Sequence, residues 1–527
     1  MFRVERIKTA ARCEKPNWDT MAMLQNISRR RFIQSSSALS AGAAASLTVS
    51  AGLPVVQADE VQLAAGSVQF RDEIEPLVRL LENTTREQIV ERVVAEIRKG
   101  LTYRDLLTAV FLAGIRNVQP RPNVGFKFHT VLSVHATHLA SLAASDSDRW
   151  LPLLWAVDNF KRAQSDDRSE GDWTMSAPPT NKKMSSEKAL GELHKAMNNW
   201  DVEAADYFVT SAVDSATIDQ LFNAFARFGT RDFRDIGHKA IYVAGAFRTL
   251  ETIGYEHAEP ILRSLAYALL CCGKEANPAT SDLPADRPGK NNWEKLQSAQ
   301  TSWRCDTIDD SSTREILTLL RSMPADDACT AVLAKLESGL HWRCVYDALF
   351  LASSELVVRQ QAIVPLHAVT TTNAIHFLFR TVSDERLRQW LLLQNTAFVC
   401  LLRDSARGRG DLPEKWIDGI QPSESMPDSV NDIFKHVHKN PDLAASEILK
   451  AADDKISAVE IMKAARNLVF VKGNDAHDYK FSSAVLEDFH AISPAWRSRY
   501  LAGCSYLLPG ESQPDSPLYA RAKSAFA

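Results

Sequence analysis

From Asp72 onward the chain is a succession of segments whose apolar residues recur every three or four positions, a periodicity that leaves little room for anything but helix. Ile89, Val93, Val94 and Ile97 share one face, Thr85-Arg86-Glu87-Gln88 reads as a capping box in front of them, and Gly100 stops the run. Thr102 to Asp105 repeats the device ahead of "LLTAVFLAGI", which is apolar all round and must be buried. "HTVLSVHATHLASLAA", "KAIYVAGAFRTLETI", "TTNAIHFLFRTV" and "ERLRQWLLLQNTAFVCLLR" continue the pattern, and strict alternation of a strand is rare. Gly is scarce, 21 in 527, while Ala, Leu, Glu and Arg are plentiful, which also favours helix. The reading is an all-α fold: a single large, irregular multi-helix domain over residues 59–527. Pro, Gly, Ser, Asp and Lys concentrate near residues 164–188, 275–295 and 404–430, which read as long inserted loops. No fixed period of 30–50 residues is evident, which argues against a regular solenoid.

Residues 1–58 belong to another category. Ser28-Arg29-Arg30-Arg31-Phe32-Ile33 precedes a weakly apolar Ala/Ser/Gly-rich run and ends at a small-residue site near Ala58. That order resembles a twin-arginine export signal, so the expectation is a signal peptide cleaved near Ala58, twin-arginine machinery as partner, and a periplasmic or extracellular protein. Without this segment 53 basic residues face 62 acidic ones, a net charge of −9, which disfavours nucleic-acid binding. No later segment reads as membrane-spanning. The seven remaining cysteines contain no C-x-x-C pair, which argues against a zinc knuckle; one or two disulfides would suit an oxidising compartment, with pairing unreadable.

The histidines are unevenly placed. His135 and His138 are three apart on an apolar helix and share a face, as metal ligands would. His129 is out of phase with His138 on a continuous helix and joins it only if the helix begins near His129. His238 and His257 each stand at a helix start, where a cap is the ordinary role and a ligand the alternative. His367 and His376 are nine apart, so only one of them can face a given centre. His194, His341, His436, His438 and His490 have surface or loop neighbours. Near the end, "AHDYK" sets His477 three residues before Lys480. A buried lysine can lose its proton, and the neutral amine can take up carbon dioxide as a carbamate that presents oxygen ligands. Asp478 and Tyr479 would then orient a ring or hold solvent, as catalytic candidates. The plainer reading leaves Lys480 as a surface cation on an apolar stem.

"VHATHLASLAA", "LHAVTTTNAIHFL" and "AHDYKFSSAVLED", in this order on an all-helical chain, resemble the questin-oxidase-like family. The resemblance spans His129 to Asp488 as islands. It implies a helical oxygenase for polycyclic aromatic small molecules, with non-haem iron held by histidines and a carboxylated lysine. It makes His135 or His138, His238, His367 and His477 iron-ligand candidates and Lys480 the candidate modified lysine.

Three functions follow from these residues. The first is an iron-dependent oxygenase, with Phe126, Phe128, Trp155 and Phe247 available for an apolar substrate pocket. The second is a non-catalytic helical binding or scaffold protein of the cell envelope, its histidines structural. The third is a metal-dependent hydrolase, for which Asp235, Glu256, Glu259 and Asp478 lie near the histidines but without a ligand spacing.

Overall fold

The computed structural model describes residues 66–527, apart from residues 122–126, 147, 181–182, 271–275, 300–302, 304–307, 452–454 and 474. The export-signal segment, Phe126, Cys271, Cys272 and Cys305 therefore lie outside the described residues. The fold is all-α, as the periodicity predicts: a single helical array with no sheet among the described residues, where one isolated bridge joins Ser67 and Ser176. No helix among them is long and apolar enough to cross a membrane. Cys329, Cys344, Cys400 and Cys504 are buried free thiols.

Local chemistry sets the helix ends. Thr102 caps the Tyr103–Asn117 helix, its hydroxyl accepting from the Asp105 amide. Thr217 and Gln220 form a reciprocal capping box at the start of Ile218–Gly229. The box expected at Thr85 does not form. The chain there tightens into a turn, the Gln88 amide donating to the Thr85 carbonyl at 3.1 Å, and the helix begins only at Ile89. The expected loops are also shorter than their composition suggests: Leu151–Glu170 runs into the first of them and Arg287–Ser298 takes up the end of the second. Polar residues there lie on helix ends, some of them buried in hydrogen bonds, as Asp167 is with Lys127.

Five helical segments build the functional region: α1 (His129–Leu132), α2 (Val134–Ala143), α3 (His238–Ile253), α4 (Ile363–Thr381) and α5 (Ala476–Ala491). Helix α4 packs on α3 and α5, and α2 packs on both α3 and α5, which closes a four-sided ring. The long members run parallel. His238 meets His367 near their starts, and ten residues later Arg248 lies over the Phe377 ring and donates to Asn373. Glu487 on α5, ten residues after His477, pairs with the same Arg248. Behind α1 stands the Tyr103–Asn117 helix, where the fully buried Arg116 binds both Glu75 and Glu82 and a Gly114 side chain would press on Val131. A buried guanidinium with paired carboxylates is held in one geometry, which fixes the wall behind His129.

Candidate metal centre

The parallel ring places four histidines at one end. His129 opens α1, His238 opens α3, His477 is the second residue of α5, and His367 lies one turn into α4. All four are buried, and each offers a ligand atom such that these atoms lie within 4.8 Å of one another. The rings form a closed set, with centroids 4.9 Å apart for His129–His238, 4.7 Å for His238–His367, 5.4 Å for His367–His477 and 4.6 Å for His477–His129. Opposite ligands of a first-row metal stand about 4 Å apart, so the span needs only a slight contraction to close on an ion. The cluster could hold a metal.

The rings are oriented from outside. The Ile363 carbonyl accepts from His367 Nδ1 at 2.7 Å, which leaves Nε2 directed at His238 Nε2, 2.9 Å away. Asp475 caps α5 through the His477 amide, and the same Oδ1 accepts from His477 Nδ1 at 2.9 Å. Such outer partners fix the tautomer and raise the basicity of the inward nitrogen. Burial works against the Asp475 carboxylate, but its bond to His477 prevails and holds its pKa below the ordinary value. Burial pushes the His129 imidazole well below its usual value, helped by Lys480 and the other histidines, and does the same to His367 with help from His238 and Lys480. Both rings are neutral near pH 7, so each keeps one nitrogen without a proton.

His238 owes its place to a strained approach. Asp235 (φ 59°), Ile236 (φ 48°) and Gly237 (φ 93°) take three successive left-handed conformations. For a β-branched residue such as Ile236 this is a genuine outlier. The segment is pinned on both sides: Arg234 binds Asp286, Lys239 binds Asp232 in full burial, and the Thr371 hydroxyl donates to the Ile236 carbonyl. Strain of this kind persists only where its surroundings over-determine it. A Cβ on Gly237 would collide with Thr371. Gly237→Ala is therefore expected to lower stability by about 2 kcal/mol or more and to weaken metal binding. Adding Thr371→Ala should recover only part of the loss, because Thr371 Cβ itself lies 2.9 Å from the added atom and the hydrogen bond to the Ile236 carbonyl goes with the hydroxyl, as denaturant titration will show.

The other residues singled out by sequence fall as follows. Lys480, one turn beyond His477, is buried, its Nζ has no hydrogen-bond partner, and burial lowers its pKa to about 7. His135 and His138 lie outside the four-histidine set: His138 Nδ1 meets the Tyr103 hydroxyl at 3.1 Å, with its ring 6.3 Å from that of His135. His129 and His138 are nine residues apart, half a turn out of phase, so the chain that turns His129 inward carries His138 away, with a short break at Ser133 between α1 and α2. His257 sits in a short 3-10 turn, Tyr255–His257, within electrostatic reach of Glu256 and Arg71. Asp478 completes the α5 capping box by accepting from the Asp475 amide, and the Tyr479 ring stacks on Trp155 at 4.2 Å, its hydroxyl pKa raised by burial. Phe128 packs on Tyr242 and Phe247 on Phe222, both in the core. His376 packs against Tyr346 and Phe350, away from the centre. Asp475 was missed as a ring-orienting carboxylate; an Asp at the N-cap two residues before a helix-start histidine is the signal that finds it. Asp475→Asn is expected to weaken metal binding by about 10–100-fold without unfolding the chain, measurable by competition with a chromogenic chelator.

No protein-family model matches the sequence, and a search of the curated proteins finds no match.

Proposed function

We propose that this chain is an exported, metal-dependent oxidoreductase: a non-haem iron oxygenase for an aromatic or polycyclic small molecule, distantly related to the questin-oxidase-like family. The observation that carries the reading is the convergence of four buried imidazoles on one point, beside a buried amine without a partner. Imidazole donors suit iron, copper and zinc alike, and an added anionic oxygen favours iron. Iron, when bound, supplies dioxygen binding and electron transfer. The chain's own part is to bury the donors and orient their rings, through Ile363 at His367 and Asp475 at His477. In this reading the neutral Lys480 amine attacks carbon dioxide, an N–C bond forms, a proton leaves to solvent, and a carbamate faces the histidines. The N-termini of α3 and α5 favour that negative charge. Export by the twin-arginine route would suit a protein that folds around its metal first.

The test is recovery of metal after acid stripping, with and without bicarbonate, followed by dioxygen uptake with a hydroxylated polycyclic aromatic. Bicarbonate-dependent recovery of iron and substrate-dependent uptake are expected. Recovery indifferent to bicarbonate removes the carbamate, and a metal-loaded protein that takes up no dioxygen removes the oxygenase. A second reading, a non-catalytic helical binding protein, draws on the 2.9 Å Nε2–Nε2 contact, by which His238 and His367 satisfy each other without any ion.

A further inference from the structure

The four histidines stand at one end of the helical ring, so their centre has an inner and an outer side, and the two differ. One turn further in, Ser133, Tyr242, Thr370 and Lys480 are all buried, and Ala374 and Ala484 are buried beneath them. The flank behind α1 is closed by the helix that carries Arg116. On the outer side the groups that orient the rings themselves meet water. Ile363 is 40% exposed, although its carbonyl accepts from His367 Nδ1. The Asp475 side chain is 43% accessible, although its Oδ1 accepts from His477 Nδ1. These two residues stand side by side, at the starts of α4 and α5, where the His367 and His477 rings are 5.4 Å apart. Among the four histidines His477, behind Asp475, is the most accessible at 7%.

A metal ion arriving from the outer side meets an opposing field. Helices α3, α4 and α5, of 16, 19 and 16 residues, all begin there. Each helix start carries roughly half a positive charge, which repels a cation. Two of the neighbouring acids are committed elsewhere: Asp232, ahead of α3, is buried with Lys239, and Asp478 accepts from the Asp475 amide. Asp475 sets a carboxylate among these helix starts that is both open to water and bonded to a ring of the set. A unit charge about 7 Å from a dication alters its encounter several-fold at low salt, so one carboxylate at this position decides how fast the ion arrives.

We infer that the four-histidine centre is loaded from its outer side, between the starts of α4 and α5, and that Asp475 captures the incoming divalent cation before it passes inward to the rings. The inference rests on the metal centre of the proposed function and not on its oxygenase chemistry. Asp475 is then a positioning residue with two tasks. Its bond to His477 governs how long the metal stays, and its accessible charge governs how fast the metal enters.

Anaerobic stopped-flow mixing of the metal-stripped full chain with cobalt(II), followed by its ligand-field absorption, tests this. Asp475→Asn should slow association by about 5-fold at low salt and also hasten release, whereas a carboxylate that only orients the ring would change release alone. The slowing should fade in about 1 M salt, where the screening length falls to about 3 Å. Ile363→Lys should slow association by about 5-fold and Ile363→Glu should speed it comparably, with His367 still held because the carbonyl is unchanged. Leu142→Lys is the control: Leu142 is 59% exposed but lies near the far end of α2, so its charge should change the rate by less than about 2-fold. If Asp475→Asn does not fold, the two Ile363 variants carry the test. Association untouched by charge at Ile363, an Asp475→Asn effect confined to release, or equal slowing by Leu142→Lys overturns the inference and leaves the metal centre standing. A wild-type chain that takes up no cobalt overturns both.

Discussion

A chain carrying both His238→Ala and His477→Ala is expected to purify folded and free of transition metal. The two substitutions delete two of the four converging donors, from opposite corners of the closed set of rings. Loss of an outer-shell partner alone costs about 10–100-fold in metal affinity, and loss of a ligand costs more, so the double change should exceed ~1,000-fold. His376→Ala is the matched control. It removes a buried imidazole that packs against Tyr346 and Phe350, so it should cost stability and leave metal content unchanged. Elemental analysis beside circular dichroism reads both variants. Metal retained in the double variant would place the site elsewhere.

Lys480→Met should stabilise the metal-free chain at neutral pH and remove a pH dependence. In the folded chain burial brings the Lys480 pKa to about 7, against 10.5 as its unperturbed value. Between these values the unfolded chain holds a proton that the folded chain has released. Stability therefore rises with pH from about 7 to 10.5, and the full penalty stands below pH 7. At 1.36 kcal/mol per unit the penalty is about 5 kcal/mol, and methionine of similar length removes it. Urea titrations of the chelated chain at pH 7 and pH 10 should show the wild type gaining on the variant as pH rises. A constant difference between them would mean that Lys480 reaches water. On the proposed carbamate, the metal-loaded variant should also bind iron less well, since no amine remains to form it.

The helices were legible because apolar periodicity over ten or more residues survives local irregularity, as in Tyr103–Asn117 and Glu385–Arg407. Caps were legible where one side chain decides them, as at Thr102, and not at Thr85, where a backbone turn competed. The candidate site was legible in part. His238, His367 and His477 each stand near a helix start or on an apolar helix, and phase alone says that His367 and His376 cannot share a centre. Two facts were beyond periodicity. Phase separates His129 from His138, nine residues apart, but does not say which of the two faces the centre, and it is His129. The left-handed run at Asp235 and Ile236 is not legible, since a β-branched residue such as Ile236 disfavours φ > 0; the flanking ion pairs Arg234–Asp286 and Lys239–Asp232 hold it. Tertiary bonds decided both, and a single sequence does not display them.

The most direct test of the central claim is elemental analysis of the full chain, purified anaerobically without chelator. A single iron ion per chain is predicted, held by the four histidines. A chain free of any transition metal would contradict the account, and two zinc ions per chain would turn it toward hydrolysis.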